Sequence, residues 1–150
     1  MAVTRPQDMN ASDLVALLHP VDADPRQHAL SATYQVKELL RYLVTATEPW
    51  EAERAMPAPH VANDTALALR DGLPSLAELL RQLAARYQQF AADPRLVAYD
   101  TDDTHPGGAS FYAAAAVDEL NAAAELVDQV VERLHIATAH AGMISIPGVR

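Results

Sequence analysis

The sequence predicts an all-α protein: an antiparallel helical bundle of three to four main helices with short extra helices. Three observations carry this. Half of the residues are hydrophobic but only 5% are aromatic; alanine supplies much of the apolar fraction, which favours helices and close helix–helix approach over a bulky β core. Apolar residues recur at alternating spacings of three and four through three long segments. Prolines and glycines stand between those segments rather than inside an alternating strand pattern.

Residues 1–10 read as a loose arm, followed by a short helix from Ser12 to His19 with Leu14, Val15, Leu17 and Leu18 on its apolar face. Pro20 ends it, because the residue before proline avoids the helical region. The next helix has a clear start: Asp24 can cap, Pro25 suits the first helical position and Gln27 stands where a capping box places Glu or Gln. Leu30, Thr33, Tyr34, Val36, Leu40, Leu43, Val44 and Thr47 continue it, and Pro49 stops it.

Pro49, Pro57 and Pro59 predict an irregular stretch over 49–72, with one short helix from Asp64 to Asp71 and Gly72 beyond its end. Trp50, the only tryptophan, is expected to anchor this stretch on the bundle. A helix over Pro74–Ala92 follows, its seam formed by Leu73, Leu76, Leu80, Leu83, Tyr87 and Phe90. Ser75 and Glu78 have capping-box spacing, and Asp93-Pro94 closes the helix.

After an acidic loop over 93–108 comes the longest helix, about Ala109 to Ala141, roughly 50 Å if unbroken. Ala116, Leu120, Ala123, Val127, Val130, Leu134, Ala137 and Ala141 form its seam. Acidic residues crowd its first half while Arg133, His135 and His140 lie near its end, a distribution that complements the helix dipole. Gly142 stops it, and 143–150 form an apolar extended tail. One domain over 1–150 suits a chain of this length.

The formal net charge is −9, from 20 acidic and 11 basic side chains, and Lys37 is the sole lysine. Between Arg95 and Arg133 there is neither lysine nor arginine. Such a surface repels phosphates, since nucleic-acid binding draws on clustered cations, so nucleic acid and anionic membranes are unlikely partners. The absence of cysteine excludes disulfides and thiolate chemistry. The first residues carry no apolar stretch of the secretory kind, and the longest apolar run, Phe111–Val117, is far short of a bilayer span. The expectation is a cytoplasmic protein, and abundant alanine with arginine preferred to lysine points to a bacterial source.

Candidate sites emerge at four places, the second being the loop over 100–108. Glu132 and His135 have the Glu-x-x-His spacing of carboxylate-bridged metal bundles, with Glu125 and Asp128 on the same stripe. Only one such pair exists, and the stripe lies roughly 140° around the helix from the predicted seam. A solvated face accounts for it, so neither metal nor other cofactor is expected. The segment Asp100-Thr-Asp-Asp-Thr-His105 offers hard oxygen ligands but lacks the glycine and glutamate of a calcium loop. Gly107-Gly108 precedes a helix without the strand or lysine of a phosphate loop.

Arg133 and His140, seven apart on one side of the helix, form the third candidate. The pair resembles the Arg-to-His motif of the HEPN-family ribonucleases, helical bundles that often dimerise. The resemblance implies RNA cleavage by these two residues; it covers only them and the architecture, and departs at Leu134, where that family carries a polar residue. Fourth, Tyr87, Phe90 and Tyr112 are expected to line a small-molecule pocket between the last two long helices.

With no inward-facing polar constellation, the leading expectation is a non-enzymatic, homodimeric interaction or regulatory bundle that binds a protein partner. The acidic face of the last helix would suit a basic partner. Alanines 113–116 and 122–124 would admit a close helix neighbour, within the chain or across a dimer.

Overall fold

The computed structural model describes residues 25–98 and 108–145. The arm over 1–10, the helix predicted at Ser12–His19, the Asp100–His105 segment and the end of the tail lie outside them. The described residues form four α-helices and no strand, which makes the chain all-α as its composition predicts. It divides into two compact units, Met1–Ala55 and Met56–Arg150.

The first unit holds α1 (Pro25–Ala46) and α2 (Pro49–Ala55). The break between them is a proline effect. Pro49 cannot donate to continue α1 but fits the first turn of a new helix. Accordingly, Thr47 and Glu48 close α1 with N–H bonds to Leu43 and Thr45, and the N–H groups of Glu51 and Ala52 both bond the Glu48 carbonyl, each at 2.8 Å. Trp50 does not anchor this region as expected. It stands in the first turn of α2 and is 70% exposed. Leu30, Tyr34, Leu40 and Val44 of α1 are exposed too.

The second unit is a hairpin of two long helices, α3 (Pro59–Ala91) and α4 (Gly108–Ala141), of 33 and 34 residues. The expected irregular stretch and short helix are corrected here, because everything from Pro59 onward is one helix. Pro59 supplies the preset φ of a first helical position, and the N–H groups of Val61 and Ala62 bond the Ala58 carbonyl. Asp64, expected to open a short helix, and Ser75 and Glu78, with their capping-box spacing, therefore lie inside the helix. Gly72 and Pro74 are also internal and solvent-facing. Each weakens the helix locally, but the buried seam continues on both sides of them.

The helices run antiparallel. The Ser110 hydroxyl donates to the Ala91 carbonyl at the loop end. At the other end Gly142 lies beside the Asn63 amide. Along α3 the seam follows Ala66, Arg70, Leu73, Ala77, Leu80, Ala84 and Ala91; along α4 it follows Ala113, Val117, Leu120, Ala124, Val127, Val131, Leu134 and Thr138. Both rows keep the three–four alternation of a coiled coil. Ala77 and Ala124 have no solvent exposure at all, and Ala84 and Ala113 are buried. No large side chain among the described residues is fully buried. Small residues at the contact let the helix backbones come close. The Thr138 hydroxyl, buried in this seam, donates to the Leu134 and His135 carbonyls of its own helix.

Leu73 and Leu80 on α3 and Leu120, Val127 and Leu134 on α4 stand in the contact as predicted, while other positions of each row move on by one residue. Ala77 and Ala84 replace Leu76 and Leu83 on α3, while Val117, Ala124, Val131 and Thr138 replace Ala116, Ala123, Val130 and Ala137 on α4. On α3 alanines take the centre because they permit the closest approach, which moves Leu76 and Leu83 to the flank; on α4 the seam instead gains Val117, Val131 and Thr138 beside Ala113 and Ala124.

Candidate ligand cavity and interaction face

The residues one position before each seam residue fall on one side of the hairpin, and those one position after fall on the other. This follows from the roughly 100° step of an α-helix and the opposite directions of the pair. Arg81 and Asp128, each one position after a seam residue, form an ion pair across the second side. Glu125, Asp128, Glu132 and His135 belong to that polar side.

The other side is apolar on both helices. From α3 it carries Leu69, Leu76, Leu79, Leu83 and Phe90, with exposures between 36% and 46%. From α4 it carries Tyr112, Ala116, Ala123, Leu126, Val130 and Ala137; Leu126 is 60% exposed. These residues recur at spacings of three, four and seven, the longer steps falling where Gly72, Arg86, Glu119 and Arg133 take the intervening positions. They form a second seam, turned by about 100° from the first. Sequence periodicity detected one stripe centred between the two seams and so missed that there are two. The signal was present in the width of the band.

At the loop end of this face the two helices and the segment after α3 flank an open cavity of about 370 Å³. Tyr87, Phe90 and Tyr112 all line it, so the structure brings together the three aromatic residues selected from the sequence. Leu96, Val97, Ala98, Ala109 and Ala113 complete the described wall. Leu96-Val97-Ala98 was a readable apolar run in an acidic loop, but nothing in its spacing told where it would fold.

Local interactions set the rings. Tyr87 and Phe90 meet edge to face with centroids 6.0 Å apart, and Phe111 meets Tyr112 in the same way at 5.6 Å. The Arg86 guanidinium covers the outer face of Phe90 at 4.3 Å from its centroid. A tight turn then carries the chain back along the cavity: the Asp93 carboxylate accepts from the Arg95 backbone N–H at 2.9 Å and from its guanidinium at 2.7 and 2.9 Å. These bonds hold the Asp93 carboxyl below its ordinary value and raise the Arg95 guanidinium. The cavity is an apolar receptacle with aromatic walls, of a size that suits a small ligand.

The remaining candidates do not converge. Arg133 and His140 are both exposed, two turns apart on α4, about 10 Å along its axis. No hydrogen bond joins them among the described residues. Glu132 and His135 are exposed beside Arg70, Asp71 and Pro74 around a shallow depression on the polar side. Among the described residues no group of three or more histidine or carboxylate side chains is placed to hold a metal ion. No described helix is long and apolar enough to cross a membrane. No family model, curated protein or solved structure matches the chain.

Proposed function

We propose that this chain is a non-enzymatic interaction or regulatory helical-bundle protein that acts through protein–protein contacts and is itself a homodimer. One observation carries the reading: a largely apolar face, from Leu69 to Phe90 on α3 and from Tyr112 to Ala137 on α4, exposed along most of its length and interrupted only by Arg86, Glu119 and Arg133 among its charged residues. Contiguous apolar surface of this extent on a folded unit marks a contact site. The polar side, with Glu125 and Glu132 exposed, is left for a second partner of basic character. The setting proposed for it is the cytoplasm of a bacterium, the source suggested by abundant alanine and the preference for arginine over lysine. Sedimentation equilibrium at low micromolar concentration tests the reading: a mass of twice 16.2 kDa is expected, and a monomer overturns it.

The cavity favours a second reading, a helical small-molecule-binding protein that takes an uncharged aromatic compound between Tyr87, Phe90 and Tyr112. A ligand specific to the folded state raises thermal stability. Indole or naphthalene should therefore raise Tm, and Phe90→Ala should remove the shift. No shift with the unaltered protein overturns this reading.

A further inference from the structure

Resting on the reading of the chain as a homodimer, we propose that two hairpins join through their apolar faces into a square four-helix bundle. In this bundle α3 of one protomer lies antiparallel on α4 of the other, and Arg86 pairs with the partner's Glu119.

The angle between the two seams comes first. In a square bundle each helix contacts two neighbours at right angles to one another. The second seam of α3 and of α4 is turned by about 100° from the seam already closed within the hairpin. A hairpin with two such helices lacks only a second hairpin to complete the square.

Bulk argues for the pairing. The inner row of the exposed face on α3 is large, Leu69, Leu76, Leu83 and Phe90; on α4 it is small, Ala116, Ala123, Val130 and Ala137. Laying α3 on the partner's α4 sets large residues against small ones at both new contacts, which keeps the helices evenly spaced. Laying α3 on α3 would crowd leucine against leucine and leave alanine facing alanine across a gap.

Register follows from the twofold axis. With the axis parallel to the helices, the levels that match within one hairpin also match between protomers. Asn63 is level with Gly142. Equal steps from each, up α3 and back along α4, bring Leu79 level with Leu126, Arg86 level with Glu119 and Gly72 level with Arg133. All six occupy the outer row of the exposed face. Leu79 thus meets the partner's Leu126, and Gly72 has open space in front of it for the long side chain of the partner's Arg133. Arg86 meets the partner's Glu119, a carboxylate that has no ion-pair partner among the described residues of its own chain. The other acidic residues of α4, Asp118, Glu125, Asp128 and Glu132, lie on the polar side, away from this interface.

Charge reversal on the full-length protein tests the arrangement, since both residues are exposed; Arg86 also lies over Phe90 and bonds Gln89, so E119R, which touches neither contact, is the decisive single variant. Sedimentation equilibrium on R86E and on E119R should show dimer dissociation constants about tenfold higher, with helix content by circular dichroism unchanged. The double variant R86E/E119R should recover most of the loss. A wild-type dimer indifferent to both single reversals overturns the register while leaving the homodimer standing. A loss in E119R that R133E repairs and R86E does not would instead place α4 on α4, and overturns the pairing. A monomeric wild type removes the homodimer itself.

Discussion

Arg81 reaches from α3 across the polar side of the hairpin to hydrogen-bond the Asp128 carboxylate on α4. It is the one ion pair between the two long helices among the described residues. Its side chains are 44% and 51% exposed, so water screens much of the attraction and the energy gained is small. A double-mutant cycle with Arg81→Ala and Asp128→Ala should give a coupling of about 0.2–1 kcal/mol. The coupling should shrink in high salt; a larger, salt-independent value would refute a solvated pair.

The close approach at the centre of the seam leads to a larger effect. Ala77 and Ala124 have no exposure, so the three extra carbons of a leucine have no room without parting the helices. Ala77→Leu should destabilise by about 1–3 kcal/mol in urea unfolding. An unchanged midpoint would mean that the seam is looser than the burial indicates.

Pro74 presents the opposite case. It lies inside α3 on the solvent side, where it supplies no N–H to the Arg70 carbonyl. Pro74→Ala should raise stability, by up to about 3 kcal/mol. A lower Tm would show that the proline ring contributes to packing on the polar side, beside Val131 and His135.

The turn at the cavity wall responds to acid. The hydrogen bonds from Arg95 hold the Asp93 carboxyl below its ordinary value of 3.8. A carboxyl lowered in the folded state contributes stability above its unfolded value, and loses it as pH falls through the lower folded value. The turn should therefore persist at neutral pH and loosen only below about pH 4. A carbon NMR titration of Asp93 should find the lowered value, and Arg95→Met should bring it back up. An Asp93 that titrates normally in the unaltered protein would contradict the turn.

Much of the local structure was legible in the sequence. Alanine content and three–four spacing predicted helices, and Pro25, Pro49 and Asp93-Pro94 marked three of their ends, because proline acts on its own backbone whatever surrounds it. The same rule misled at Gly72 and Pro74. There the helix penalty is real, but a seam that continues through Leu73 and Ala77 outweighs it. Trp50 misled for a related reason: a large apolar side chain prefers burial, yet α2 gives it nothing to pack against.

The aromatic cavity was half legible. Tyr87 and Phe90 share one side of α3 by spacing alone, whereas Tyr112 and Leu96–Ala98 come to them only because the chain reverses after Asp93.

What the sequence by itself determined is the set of helices and a broad apolar band along each of the last two, since both depend on residues within a few turns of one another. What only the tertiary structure decided is how that band is divided. Closing the hairpin on Ala77, Ala84, Ala113 and Ala124 brings the backbones nearest and claims half of each band. The other half, Leu69 to Phe90 and Tyr112 to Ala137, is left facing outward. Two helices have only one mutual contact line, and a band wide enough for two neighbours must leave the second line open.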